Sequence, residues 1–292
     1  MYELIQVGAR SYYVDCPVKM GIYQINDSEV CLIDSGLDKD AGKKILKLLD
    51  QKGWKLTVII NTHSHADHIG GNHLLQQRTG CKIFAKGLEK AYTECPILEP
   101  ATLYGGFPCK DLRHKFLMAA ESQVEVWDEQ ALPDGLEVID LPGHSFDMIG
   151  IRTPDQVVYL ADSVSSKETL EKYQISYLYD VEQYLSTLDQ VEHIEAQIFV
   201  PAHTPVVKDI RELVELNRNK VYEIAEVLQE ICADKICFEE ILKQIFDRYD
   251  LRMNFEQYVL VGSTVKSYLS WLKEHEKVDI LFEDNRLLWI RR

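Results

Sequence analysis

Within six consecutive positions the chain carries four side chains able to bind a transition metal: His63, His65, Asp67 and His68. They follow Val58-Ile59-Ile60, a short β-branched apolar run that suits a buried strand. They precede Ile69, Leu74 and Leu75, set among good helix formers up to Gly80. The cluster therefore sits on a strand-to-helix turn. Such loops are where α/β proteins place chemistry, because a rigid sheet fixes the loop. In an extended turn His63 and His65 share a face. As the chain curls into the helix, Asp67 and His68 point to a second position. Imidazole nitrogen and carboxylate oxygen suit zinc, and also iron or manganese. One metal takes about four ligands, so a cluster this dense raises the question of two metals, with the missing ligands supplied from elsewhere.

Three later segments offer them. His144 follows the apolar run from Leu136 to Leu141, Asp162 follows Val157-Val158-Tyr159, and His203 follows Ile198-Phe199-Val200. Each is a strand ending in one potential ligand. Taken with Asp34 at the end of Val30-Cys31-Leu32-Ile33, the order is Asp, H-x-H-x-D-H, lone His, lone Asp and final His. This order resembles the metallo-β-lactamase superfamily of dinuclear metallohydrolases over residues 1–205. The resemblance implies an αββα sandwich with its metals at one edge between the sheets. It implies His63, His65 and His144 on one metal, Asp67, His68 and His203 on the other, and Asp162 bridging. Asp67, Asp34 and Asp162 are the carboxylates expected to serve catalysis, Asp34 by orienting the ligand loop. The remaining histidines, His73, His114, His193 and His275, have no such context and read as structural or surface groups.

The totals narrow the class further. The chain has 292 residues, enough for one large domain or two. Its first residues lack a basic region followed by an apolar one, and no apolar run approaches the roughly 20 residues that span a bilayer. Seven cysteines without C-x-x-C spacing favour free thiols in a reducing compartment, so a cytoplasmic location is expected. A net charge of −15 repels polyanions, which argues against nucleic acid and anionic membranes as general partners.

Along the chain, residues 20–33 read as a hairpin around Asn26-Asp27-Ser28-Glu29, and residues 39–52 as a helix ended by Gly53. Strand, helix and strand then repeat to residue 85, so part of the sheet should be parallel. Residues 87–122 break the pattern with Pro96, Pro100, Gly105, Gly106 and Pro108, and a short helical stretch is expected from Lys110 to Ala120. This segment reads equally as a lid over the site, with Tyr104, Phe107 and Phe116 lining a pocket, or as a surface excursion. Strands are expected over 124–127, 136–141, 148–152 and 157–160. Tyr173, Tyr177 and Tyr179 follow Asp162, and one could donate its hydroxyl to a developing oxyanion.

Residues 206–292 read as a second unit of three helices and a hairpin, resembling a winged helix. It holds 14 Lys and Arg against 17 Asp and Glu, and its third helix offers only Lys266 and Lys273. Such a unit suits packing over the active site or forming a homodimer better than binding DNA.

Together these features imply a hydrolase using a hydroxide shared by two divalent metals, zinc first with iron or manganese as alternatives. Two substrate classes stay open. One is a small thioester or ester, as in glyoxalase II. The other is a phosphodiester, as in a phosphodiesterase or endoribonuclease, which the charge opposes. A non-hydrolytic iron-dependent reaction, as in related persulfide dioxygenases, is a third reading. Flavodiiron proteins resemble H-x-E-x-D, whereas here His65 stands at the Glu position.

Overall fold

The computed structural model describes residues 2–292. Its first sheet begins with four antiparallel strands, β1 (Glu3–Gln6), β2 (Ser11–Asp15), β3 (Met20–Gln24) and β4 (Glu29–Ile33). Helix α1 (Lys39–Lys52) follows. Asp38 caps its start by accepting from the amides of Asp40 and Ala41, and Gly53 closes it in the left-handed conformation. The chain returns in β5 (Lys55–Ile60), parallel to β4. It then turns through α2 (Ala66–Ile69) and α3 (Asn72–Thr79) into β6 (Lys82–Phe84), parallel to β5. The sheet order is β1-β2-β3-β4-β5-β6.

The segment after β6 forms two helices, α4 (Gly87–Glu94) and α5 (Leu98–Tyr104). Pro100 falls in the first turn of α5, where a helix needs no amide donor. The helix expected over 110–120 is absent: only a 3-10 turn, Lys110–Leu112, forms before Arg113 leaves the helical region. Residues 124–127 are also not a strand. The Val124 amide turns to the Glu94 carboxylate and only the Glu125 amide reaches the Ile83 carbonyl, so no ladder with β6 develops.

A second sheet follows, ordered β10-β9-β8-β7. It contains β7 (Glu137–Asp140), β8 (Ile149–Arg152) and β9 (Val157–Ala161), each antiparallel to the next. After α6 (Lys167–Tyr173) and α7 (Val181–Glu192), β10 (Ile198–Pro201) adds parallel to β9. Three helices, α8 (Arg211–Ile231), α9 (Phe238–Arg248) and α10 (Phe255–Glu274), and a hairpin of β11 (Val278–Glu283) and β12 (Arg286–Arg291) complete the chain.

Three apolar clusters define the layers. Ile45 and Leu49 of α1 and Leu75 of α3 pack on the outer face of the first sheet, against Met20, Ile22, Leu32 and Ile59. Between the sheets, Tyr23, Cys31, Ile33 and Ile60 meet Ile149, Ile151, Val157 and Tyr159. On the far face, Val158, Leu160 and Phe199 pack against Leu188, Val214 and Val221, and the same cluster runs on to Tyr268 and Leu269 of α10. The order helix, sheet, sheet, helix is the αββα sandwich. The alternation of β4 shows why: Val30 and Leu32 face α1, whereas Cys31 and Ile33 face the other sheet.

The two loops at the ends of β4 and β5 are stitched together. The Ser35 amide donates to the His68 carbonyl at 2.7 Å, and Gly36 and Ile69 form an isolated bridge. This approach requires glycine at 70, since a Cβ there would stand 1.9 Å from the Leu37 carbonyl oxygen. Gly70→Ala is expected to lower stability by about 3 kcal/mol or more, read by denaturant titration, because backbone and not a mobile side chain must give way. A loss below about 1 kcal/mol would show that the loops are not locked together.

Candidate metal centre

All seven proposed ligands lie at one edge of the sandwich, in segments that follow strands, with Asp67 and His68 inside α2. His63, His65, Asp67 and His68 follow β5, Asp162 directly follows β9, and His203 follows β10. His144 sits in the loop between β7 and β8. That loop is pinned by Gly143, whose φ is +122° and whose added Cβ would meet the Tyr184 amide nitrogen at 2.3 Å. The Gly143 carbonyl accepts from the amides of Tyr179 and Asp180.

Hydrogen bonds fix which imidazole nitrogens face inward. The carboxylate of Asp34 accepts from the Thr62 amide at 2.8 Å, the Thr62 hydroxyl at 2.6 Å and His68 Nδ1 at 2.8 Å. With the Nδ1 proton donated to Asp34, the neutral His68 ring, the form a cation would bind, presents Nε2 as a lone pair. The Tyr177 carbonyl lies 3.0 Å from His144 Nδ1 and fixes that ring in the same way. The Thr62 hydroxyl, already donating to Asp34, accepts from His63 Nδ1 at 3.1 Å. An oxygen acceptor behind each of these three rings is the arrangement that makes imidazole a good ligand.

The inward atoms converge. His65 Nδ1 lies 3.1 Å from His63 Nε2 and 3.0 Å from His144 Nε2. Three nitrogens around a zinc-sized ion stand roughly 3.3 Å apart, from Zn–N bonds of about 2.05 Å. His203 Nε2 is 3.3 Å from Asp67 Oδ2 and 3.3 Å from Asp162 Oδ2. Asp162 lies between the two groups: its Oδ1 is 3.2 Å from His68 Nε2 and its Oδ2 3.5 Å from His144 Nε2. Three sets, His63/His65/His144, His63/His68/Asp162 and Asp67/His68/His203, each bring their donor atoms within 4.8 Å of one another. His68 Nε2 and Asp162 Oδ1 are buried with no hydrogen-bond partner. Buried polar atoms are seldom orphaned, and these two face the space a cation would fill. The donor set therefore fits divalent metal.

The electrostatics divide the site into halves. Burial above all keeps His63, His65 and His144 neutral, holding His65 and His144 down at about 4. Burial also pushes His68 and His203 downward, but facing carboxylates outweigh it and hold both above their ordinary range, with His203 at about 10. Asp162 acts first on each, followed by Asp34 and Asp67 on His68 and by Asp67 on His203. Without a cation, the half rich in carboxylates recruits protons as its positive charge.

Sequence reasoning missed Glu89, a fully buried carboxylate of α4. Its Oε2 accepts from the Ser64 amide and hydroxyl, and its Oε1 from the Ser145 hydroxyl at 2.6 Å and the Asp147 amide at 3.1 Å. It thus fastens the loop bearing His63 and His65 to the loop bearing His144. The available signal was indirect: Ser64 and Ser145 each adjoin a ligand histidine and need a buried acceptor. Glu99 of α5 was missed as well. It lines a cavity beside Asp67, and burial, then the Asp67 charge, raises its carboxyl well above the usual range. Of the residues expected to line a pocket, Phe116 does so, whereas Phe107 is 77% exposed and stacks with Arg113. Of the three tyrosines, Tyr177 lies closest to the site, its ring 5.2 Å from His65 and 5.7 Å from His144. Tyr179 packs on Phe146. His73, His193 and His275 each bond a backbone carbonyl away from the centre.

The family model of the Metallo-beta-lactamase superfamily matches residues 13–203. The chain belongs to this superfamily. Among curated relatives it is 30% identical over 145 residues to a hydroxyacylglutathione hydrolase of Rhodopseudomonas palustris, covering 49% of this chain and 48% of that protein. It is 32% identical over 133 residues to a hydroxyacylglutathione hydrolase of Nitrobacter hamburgensis, covering 45% and 43%. The chain thus spans about half the length of these relatives. A beta-lactamase domain protein from Burkholderia ambifaria shares the fold at a TM-score of 0.75 and 15% identity, over 99% of this chain and 94% of that one. A metallo-beta-lactamase family protein from Thermus thermophilus does so at 0.72 and 18%, over 100% and 98%.

Glu89→Ala removes the acceptor shared by four donors, three of them buried. It is expected to cost about 3 kcal/mol and to weaken cation binding, since both ligand loops lose their common anchor. Thermal melts with and without added zinc read both effects. An unchanged melting temperature would show that Glu89 does not hold the loops.

Proposed function

We propose that the chain is a hydrolase of a small thioester or ester, with two divalent cations, zinc first, held by the seven residues described above. The observation that carries this is the position of Asp162, whose two oxygens face histidines of both groups. A carboxylate so placed suits a pair of cations better than one.

In this reading His63, His65 and His144 hold one cation and Asp67, His68 and His203 the other, with Asp162 between them. The cation pair supplies Lewis acidity at the substrate carbonyl and lowers the pKa of water. The chain's own residues do the rest. Asp67 and Asp162 offer carboxylate oxygens that accept from the attacking water and orient it. Asp34 acts at one remove: it is buried behind His68 and keeps that ring's proton on Nδ1. Tyr177 has its hydroxyl pushed up by burial, so it stays protonated and can donate to the oxyanion that forms. A thiolate leaves near neutral pH with little help from an acid, since thiols ionise at about 8.5. The hydroxyacylglutathione hydrolases among its relatives support a thioester.

Residues 1–205 form the catalytic part in this reading, and residues 206–292 a second part that packs over the cleft. Glu256, Gln257, Leu260 and Val261 of α10 line the larger cavity beside His203. Among the described residues, no helix is long and apolar enough to cross a membrane.

Asp67→Ala and His203→Ala should each reduce bound cation and abolish thioester turnover, measured by elemental analysis and by thiol release. Full activity in both variants would rule out the two-cation site.

A further inference from the structure

Two cavities meet at the histidine cluster. The inner one, about 120 Å³, is walled by Tyr92, Leu103, Phe146 and Tyr177 and carries Glu99. The outer one, about 690 Å³, opens past Asp162 and His203 between α6 and α10. They share Asp67, Phe116, Tyr177 and Leu260. A substrate reacting beside Asp67 would therefore place one end in each. The inner cavity has room for a small acyl group only, so the leaving thiol or alcohol falls to the outer one.

Outside the proposed ligands, the charged side chains lining these cavities are Glu99 in the inner one and Glu168, Glu256 and Lys172 in the outer one. Among the described residues neither cavity presents an arginine. Lys172 gives one donor to the Tyr173 hydroxyl at 3.0 Å and lies over that ring, and the lining carboxylates outnumber it. Two nearby lysines face other partners. Lys115 pairs with Asp38 at 2.9 Å, and Lys19 donates to the Thr204 carbonyl at 2.8 Å. Recognition of a carboxylate calls for Arg or Lys with free donors, and like charge brought into a cleft selects against a ligand.

We infer that the leaving group seated between α6 and α10 is uncharged or cationic, and that a thiol bearing carboxylates, as glutathione does, is discriminated against. This rests on the thioester reading and narrows it. The cleft runs from Pro17 to Val261, further along the chain than the 145 residues matched to a hydroxyacylglutathione hydrolase. The partial match therefore leaves the charge of this cleft to be read from this chain alone.

The test compares three acetyl thioesters on the zinc-loaded full chain: S-acetylglutathione, S-acetyl-N-acetylcysteamine and acetylthiocholine. They share one acyl group, so effects of the cations on the carbonyl cancel. The neutral and cationic esters should exceed the glutathione ester in kcat/KM by about tenfold or more at low salt. The gap should shrink at high salt, and in the double variant E168K/E256K it should close mainly through a lower KM for the glutathione ester. A glutathione ester hydrolysed as well as the others would overturn the inference and leave the thioester reading standing. So would a gap indifferent to both salt and charge reversal. Hydrolysis of none of the three would overturn the thioester reading and this inference with it.

Discussion

Five imidazoles and three carboxylates are gathered at one edge of this sandwich; Asp34, His63 and His68 are buried and the other five partly so. Bringing charges and lone pairs out of water is costly unless each finds a partner. Around the outside of the cluster three of the five rings have one: Asp34 behind His68, Thr62 behind His63 and the Tyr177 carbonyl behind His144. On the inside, nitrogens face nitrogens, and two buried atoms have no partner. A pair of cations would satisfy that inner face. The surrounding structure is arranged so that these atoms cannot move apart.

That arrangement draws on both sheets. Asp34 sits at the end of β4 with φ at 62°, and Ala161, just before Asp162, at the end of β9 with φ at 49°. Non-glycine residues adopt this region at some cost, and such strain persists only where the surroundings over-determine it. Here the strands that precede them are buried and paired on both sides. The sheets are joined beside the ligands by the Ile149 amide, which donates to the Thr62 carbonyl at 2.9 Å. Glu89 adds a second tie from α4. The segment after β6 therefore does more than cover the site: it holds two of its loops together.

Much of this was legible in the sequence because the signals are local. Each proposed ligand follows an apolar run that reads as a strand, and the H-x-H-x-D-H spacing places its members on one turn. The αββα layering was expected from the family resemblance, and the alternation of β4 and the stripe of α1 agree with it. Glu89 and Glu99 were not legible, because what they do depends on donors and cavities formed by segments far along the chain. Residues 124–127 alternate like a strand, but Glu94 captures the amide that would have started the ladder. In the C-terminal part the helices and hairpin follow from periodicity. Their packing into the core of the second sheet does not, since a stripe shows that a helix is covered without showing by what.

The central claim is that the inner face of the cluster holds two cations with Asp162 between them. Anomalous scattering at the zinc edge, from crystals grown with zinc, tests it most directly. The account predicts two peaks about 3.5–4 Å apart, one among the nitrogens of His63, His65 and His144 and one beside Asp67, His68 and His203. A single peak, or peaks away from these residues, would contradict it.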